Sequence, residues 1–94
     1  MKTKAPILKM GKYSLRVDPS TLDPSLTHII FACDSGYWGK GETLPEAIAA
    51  SDVQRGYVTR STNVQIWMCT PESRINEEGT VVCKMGQKSP VRIN

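Results

Sequence analysis

Few side chains of this sequence could take part in acid–base or nucleophilic chemistry, and their spacing does not suit it. The chain has one histidine, His28, which lies beside Ile29 and Ile30 in an apolar run. A catalytic nucleophile needs a base within hydrogen-bond distance and a third group that orients the base. The carboxylates that could form an acid–base pair are scattered, at Asp34, Glu42, Glu77 and Glu78. The sequence therefore predicts a protein that is not an enzyme.

The three cysteines are also expected to have a structural role and not a metal-binding or redox role. Cys33, Cys69 and Cys83 contain no Cys-x-x-Cys pair, and one histidine cannot complete a convincing zinc set with them. Each lies in an apolar, strand-like run, where a free cysteine behaves as a small hydrophobic residue. We therefore expect buried, reduced thiols, with no bound metal and no cofactor.

A glycine-rich stretch before a helix raises the question of phosphate binding. Gly36, Gly39 and Gly41 have neither the P-loop spacing nor the G-x-G-x-x-G spacing, and the P-loop lysine is missing. Two acids at the helix start, Glu42 and Glu46, would repel an anion and suit the helix dipole instead. We interpret the three glycines as turn and packing positions.

The elements that position these groups can be placed from the same stretch. Thr43 and Glu46 form a capping-box pattern, which predicts a helix over Leu44–Arg55 that ends at Gly56. Four residues of that helix fall on one narrow face: Leu44, Ala47, Ile48 and Ser51. A helix of three turns is too short to persist alone in water, so it must dock on a sheet.

Strands are predicted on both sides of the helix. The predicted strands are a pair, or one strand with a bulge at Gly11, over 6–17, a central strand over 27–33, a short return strand from Tyr37, and strands over 63–69 and 80–85. Two further candidates are a short strand near Val58 and an edge strand over 90–93. The segment 71–79 is polar and reads as a connection. We predict one α+β domain over residues 1–94, in the order β-β-β-α-β-β, with a single antiparallel sheet of about five strands and one helix packed on one face.

The charges are unevenly distributed along the chain, whose net charge is +3. Both ends carry bases and no acid: Lys2, Lys4, Lys9, Lys12 and Arg16 at one end, and Lys84, Lys88 and Arg92 at the other. If the two ends lie side by side, they make a basic edge that could contact phosphates. The same lysines could instead keep the sheet edges soluble and unpaired. Because the basic edge has these two explanations, nucleic-acid binding is kept as the alternative function.

Protein binding is the function that the sequence favours. Trp67 alternates with Val64, Ile66 and Met68 along a strand, so it faces away from their side, where an exposed tryptophan could anchor a partner. Trp38 lies at a strand-to-helix corner and could cap the core instead. The candidate contact residues are Trp67, Trp38 and Tyr37, with Glu72 and Arg74 of the polar connection.

The stretch over residues 36–51 resembles the strand, turn and capped helix of the HicB-type antitoxin fold. Gly41, Glu42, Thr43, Glu46 and Ala47 stand where that family carries its Gly-Asp/Glu-Thr-x-x-Glu-Ala pattern. The resemblance implies a helix packed on a small sheet, and an antitoxin-like protein that acts on a partner. The predicted hairpin over 63–85 has no counterpart in that pattern.

Size and hydropathy indicate where the protein is located and how stable it is. The longest apolar run, over 29–33, is far short of a membrane span, and the sequence shows no signal-peptide core, so we expect a cytoplasmic protein. A core built from 94 residues gives marginal stability, which a homo-oligomer or a bound partner would increase. We expect a small accessory protein of the kind that phages and mobile elements encode, which regulates or inhibits a protein by surface contact.

Overall fold

A computed structural model describes residues 15–33, 36–55 and 64–94 of the chain. The helix is α1 (Leu44–Arg55), and the strands are β1 (His28–Cys33), β2 (Trp38–Gly41), β3 (Val64–Cys69), β4 (Arg74–Ile75), β5 (Val81–Val82) and β6 (Val91–Arg92). A short 3₁₀ turn at Pro19–Thr21 precedes β1. Most of the strand pair predicted over 6–17, the helix stop at Gly56 and the strand near Val58 lie outside the described residues.

The strands form two antiparallel sheets. The main sheet has four strands in the order β2-β1-β3-β6, so the predicted central strand does lie between two neighbours. Within the described ranges, a second sheet consists of β4 and β5. The α+β class is confirmed, and the strands divide between these two sheets instead of forming one.

The helix begins and is capped as its sequence indicates. The hydroxyl of Thr43 accepts a hydrogen bond from the backbone N–H of Glu46 at 3.3 Å. The Glu46 carboxylate reaches one residue further back than a standard capping box and accepts from the N–H of Glu42 at 2.9 Å. Leu44, Ala47 and Ser51 are buried on the docked face, with Ile48 partly buried beside them.

Two glycines of β2 allow the helix to lie directly on the strand. A Cβ atom at Gly39 would overlap the Ala47 carbonyl oxygen and the Ser51 nitrogen, both of which are backbone atoms of α1. One at Gly41 would lie 2.9 Å from the Ala47 nitrogen. Because Ala47 and Ser51 are also small, helix and strand backbones come into contact here. The glycines of 36–41 therefore serve turn and packing, with Gly36 at a φ of 96° in the turn before β2.

The hydrophobic core lies between α1 and one face of the main sheet. Alternate residues of β1 and β3 point into it, and the register places Ile29 opposite Met68 and Phe31 opposite Ile66. Its buried members are Leu26, Ile29, Phe31, Cys33, Leu44, Ala47, Ile66, Met68 and Ile93. Val64, Ile66 and Met68 share a face as predicted, although Val64 is only partly buried.

The segment after β3 differs from the prediction. Residues 70–88, here called the hairpin arm, contain the β4–β5 pair, in which Arg74 lies opposite Val82 and Ile75 opposite Val81. The predicted connection over 71–79 therefore includes a strand, and the predicted strand over 80–85 is only two residues long. Strands of two residues in polar surroundings are too short to produce an alternating pattern.

Both edges of the main sheet carry extra backbone contacts. At the β6 edge, the carbonyl of Ile93 accepts hydrogen bonds from the N–H groups of Arg16 at 2.7 Å and Val17 at 3.4 Å. At the β2 edge, the side-chain amide of Gln54 accepts from the N–H of Trp38 at 3.2 Å and donates to the Trp38 carbonyl. The edge strand predicted over 90–93 is present as β6. These contacts satisfy groups that an open edge would offer to another chain.

In the described ranges, no helix combines the length and the apolar character needed to cross a bilayer.

Candidate functional site

The second face of the main sheet, opposite α1, has a different composition from the first. The register places five residues of all four strands on the outer part of this face, in two adjacent rows. Ala32, Trp38 and Gln65 form one row, and Trp67 and Arg92 belong to the next, in which Trp67 lies opposite the buried Ile30. We call this set the tryptophan face. None of its five side chains is buried; Ala32, Trp38 and Trp67 are partly exposed, and Gln65 and Arg92 are exposed. It is therefore a surface formed by rigid strands that a partner can reach.

Neighbouring side chains fix the position of Trp67. Its indole N–H donates to the Gln65 amide oxygen at 3.1 Å. Arg92 lies directly across from Trp67 in the β3–β6 pair. The Arg92 Nε donates to the Asn94 amide oxygen at 3.3 Å, and that oxygen also accepts from the backbone N–H of Ile66 at 2.9 Å. An aromatic ring and a guanidinium are thus held side by side at the sheet surface.

Trp38 is held through its backbone. It lies opposite Ala32 on β2, and Gln54 of α1 binds both its N–H and its carbonyl group. The structure places Trp38 on the face opposite α1, so this residue does not cap the core beneath the helix.

The inner end of the same face is covered by the hairpin arm. Ile30 and Cys69 are fully buried there, and Lys40 lies opposite Ile30. The Lys40 ammonium donates to the carbonyls of Pro71 and, at 2.8 Å, of Ser73. Burial raises the pKa of the Cys69 thiol to about 11, against smaller lowering effects from a Ser73 hydrogen bond and the Lys40 charge. Lys40 therefore joins β2 to the arm, and Cys69 stays protonated at neutral pH.

A chain of polar side chains holds the arm together. The Thr70 hydroxyl donates to the Gln87 amide oxygen at 2.7 Å and lies 2.9 Å from the Ser73 hydroxyl. The Gln87 amide nitrogen in turn donates to the Glu72 carboxylate at 2.8 Å. That hydrogen bond lowers the pKa of Glu72 below its ordinary value. The exposed Glu72 is thus engaged in holding the arm.

The structure separates the predicted contact residues into groups. Trp38 and Trp67 share the tryptophan face, and Tyr37 is exposed immediately before β2. Glu72 and Arg74 are exposed on the hairpin arm and not on a strand of the main sheet.

Four of the eight bases predicted to form a basic edge are described, and all four are exposed. The Arg16 backbone joins the β6 edge through Ile93, so Arg16 and Arg92 lie near one another in the fold. Lys88 forms an exposed ion pair with Asp23 at 3.6 Å, and Lys84 is exposed on the arm. The hydrogen bonds from Ser25 lower the pKa of Asp23, with a smaller contribution from Lys88. Four predicted residues lie outside the described residues: Lys2, Lys4, Lys9 and Lys12.

Of the groups considered for catalysis, Asp34 lies outside the described residues, and the described ones are on separate elements: His28 on β1, Glu42 before α1, and Glu77 and Glu78 on the hairpin arm. His28 is partly buried, with Nδ1 2.9 Å from the Thr27 hydroxyl, and lies opposite Cys69. An open depression of about 430 Å³ is lined by residues 74–78 of the hairpin arm, which do not include His28. Within the described ranges, no group of three or more His, Cys, Asp and Glu residues could hold a metal ion.

None of the three cysteines, all within the described residues, forms a disulfide, and two have the predicted burial. Cys33 and Cys69 are buried, whereas Cys83 is partly exposed, with its thiol 3.8 Å from the Gln87 carbonyl. The prediction of burial was wrong for Cys83 because β5 ends at Val82, so Cys83 belongs to the arm and not to a strand of the main sheet.

Comparison with known proteins gives no match. No family model, no curated protein and no solved structure is similar to this chain. The likeness of residues 36–51 to the HicB-type fold remains a prediction.

Some residues of the site were not singled out from the sequence. The two-residue period of β3 puts Gln65 on the side of Trp67, although Gln65 was not named as a contact residue. The same period within β1 could have assigned Ala32 to this face. Lys40 and Gln54 gave no such signal. Their partners lie 31 to 33 and 16 residues away in the chain, and only the folded backbone brings those groups together.

Proposed function

We propose that this chain is a non-enzymatic binding protein that regulates or inhibits a protein partner through its tryptophan face. The observation that supports this is the position of Trp38 and Trp67, which are the two tryptophans of the chain and lie partly exposed on the same sheet face. Tryptophan is the residue most enriched among interface positions that dominate binding energy.

The support of this face adds to the argument. The strands beneath it are packed against α1 on their other side, so the aromatic rings are presented by a rigid scaffold. Gln65 and Gln54 restrain the two tryptophans further. A preorganised surface loses little conformational entropy on binding, which favours recognition of another folded surface. A regulator of the accessory class that phages and mobile elements encode, acting in the cytoplasm, fits these properties.

Affinity capture with matched variants tests the proposal. The tagged protein is incubated with extract of its native host, and retained proteins are compared between wild type, Trp67→Ala, Trp38→Ala and Val53→Ser. Val53 is 80% exposed on α1, away from the tryptophan face, and serves as the control. We expect a retained protein to be lost with both tryptophan variants, since such anchors contribute about 2 kcal/mol or more, and to be kept with Val53→Ser. Circular dichroism checks that each variant is folded.

Nucleic-acid binding is the second candidate, and the pairing of Arg92 with Trp67 supports it. A cation beside an aromatic ring on a sheet can bind a phosphate and stack a base. This function predicts retention on heparin with a steep dependence on salt. Replacing Lys2, Lys4, Lys9 and Lys12 with Ser would then weaken binding more than Trp67→Ala does. If no interaction responds to either set of variants, both candidate functions are wrong.

A further inference from the structure

The distribution of charge on the main sheet is one-sided. The four strands β1, β2, β3 and β6 contain no Asp or Glu, while they carry Lys40 and Arg92. Both cations belong to the side opposite α1, because Lys40 pairs with Ile30 and Arg92 with Trp67. The described acids lie elsewhere: Asp18 and Asp23 before β1, Glu42, Glu46 and Asp52 at or in α1, and Glu72, Glu77 and Glu78 on the hairpin arm. The tryptophan face is therefore complementary to a negatively charged partner.

The number of available cations distinguishes between anionic partners. Lys40 is already bound by two carbonyl groups of the arm, and Lys88 is paired with Asp23. Of the other described cations, Arg92 lies on the face and Arg16 near its edge, while Arg74 and Lys84 are exposed on the hairpin arm. A nucleic-acid backbone is bound by a series of cations that follow its phosphates. One or two guanidinium groups beside two aromatic rings instead suit isolated carboxylates between apolar side chains.

The orientation of Arg92 supports recognition of a carboxylate. Its Nε is engaged by Asn94, which fixes the plane of the guanidinium beside Trp67. The two terminal amino groups, which remain, bind a carboxylate end-on with two parallel hydrogen bonds. The partly exposed indoles of Trp38 and Trp67 provide the apolar contact area on the same face.

From these observations we infer that the tryptophan face binds an acidic polypeptide segment, with Arg92 on one of its carboxylates and the two indoles against its apolar side chains. This inference rests on the proposed function and adds the chemistry of the partner. It requires both kinds of contact, because neither the single arginine nor the partly exposed rings would suffice alone.

The two tryptophans provide a direct measurement. Because Trp38 and Trp67 are the only tryptophans, all tryptophan emission comes from this face. The full chain is titrated with a random copolymer of glutamate and tyrosine, with selective excitation of tryptophan. A copolymer of lysine and tyrosine and a single-stranded oligothymidylate are the comparison probes. We expect saturable quenching or a spectral shift with the acidic copolymer alone.

A pair of charge variants makes the test specific. Arg92→Glu and Lys84→Glu change the net charge equally, but Lys84 lies exposed on the hairpin arm. We expect Arg92→Glu to weaken binding of the acidic copolymer about tenfold or more, and Lys84→Glu to weaken it less than about threefold. An equal loss in both variants would show attraction by net charge only and overturn the inference, as would stronger binding of the oligothymidylate or no binding of the acidic copolymer.

The inference and the proposed function can fail separately. Suppose that a partner captured from extract is lost with Trp67→Ala but unaffected by Arg92→Glu. This result would support the proposed function and contradict the inference that the bound segment is acidic. If the acidic copolymer binds the tryptophan face while capture finds no partner that depends on it, the chemistry of the face stands and the proposed function does not.

Discussion

The two faces of the main sheet are formed by the same strands and have opposite properties. Along β2 the residues alternate: Gly39 and Gly41 face α1, and Trp38 and Lys40 face the other way. On the α1 face, side chains are removed so that backbones can touch. On the other face, large side chains are kept, and the outer end remains partly exposed. The comparison indicates that the α1 face is buried for stability along its whole length, whereas the second face is divided between a covered end that also adds stability and an outer part available for recognition.

Adding volume to each face tests this division most strongly. Gly39→Val would place side-chain atoms against the backbone of Ala47 and Ser51, which cannot move without displacing α1. We expect a loss of about 3 kcal/mol or more in the free energy of unfolding, measured by urea denaturation. Ala32→Val adds similar apolar volume on the tryptophan face and should change stability by less than about 1 kcal/mol. Equal effects would contradict the division.

Removing the Lys40 side-chain charge tests the covered end of the second face. Lys40→Met leaves the carbonyls of Pro71 and Ser73 without their shared donor. We expect a loss of about 1–3 kcal/mol and faster amide exchange in residues 70–75. The control is Lys84→Met, an exposed residue of the arm, which should alter stability by less than about 0.5 kcal/mol. An unchanged exchange rate in Lys40→Met would show that the arm is held by other contacts.

Opening the edge of β2 should lower the free energy of unfolding by a smaller amount. Gln54→Ala removes both hydrogen bonds to the Trp38 backbone and opens that edge. We expect about 1 kcal/mol of destabilisation, together with self-association that increases with concentration in sedimentation velocity. Val53→Ala changes the adjacent, exposed helix residue and should remain like the wild type. A monomeric Gln54→Ala protein would mean that this edge needs no protection.

The smallest expected effect concerns Cys69. Its pKa is raised by burial from about 9 to about 11, so above pH 9 the unfolded thiol loses its proton while the folded thiol keeps it. This group therefore makes the fold less stable as pH rises from 9 to 11. The fall in stability over that range should be shallower in Cys69→Ala than in the wild type when unfolding curves are compared. Identical slopes would show that the buried thiol does not contribute.

The sequence was a good guide where local signals and periodicity decide the structure. The bounds of α1, its Thr43 cap and the alternation of β3 were all predicted, because capping and two-residue periodicity act within a few residues. The opposite placement of Trp67 and Ile66 follows from the same alternation. These predictions define most of the main sheet and one tryptophan of the candidate site.

The remainder depends on contacts between distant residues. The β4–β5 pair is too short for a periodic pattern, and Lys40 has no acidic partner nearby in the sequence that would reveal its role. Trp38 could be assigned to either side before the helix contacts of Gly39 were known. Arg92 was considered only as part of a basic end, and the β3–β6 register is what places it beside Trp67.

The alternation along β2 has a consequence for how relatives of this chain would diverge. Positions 39 and 41 accept no side chain while α1 lies on them, so substitutions there would require a compensating displacement of the helix. Positions 38, 67 and 92 have no such constraint from the core, and a lineage that changed its target could replace them freely. We therefore expect relatives of this chain to retain the two glycines before the capped helix even where the surrounding residues have changed.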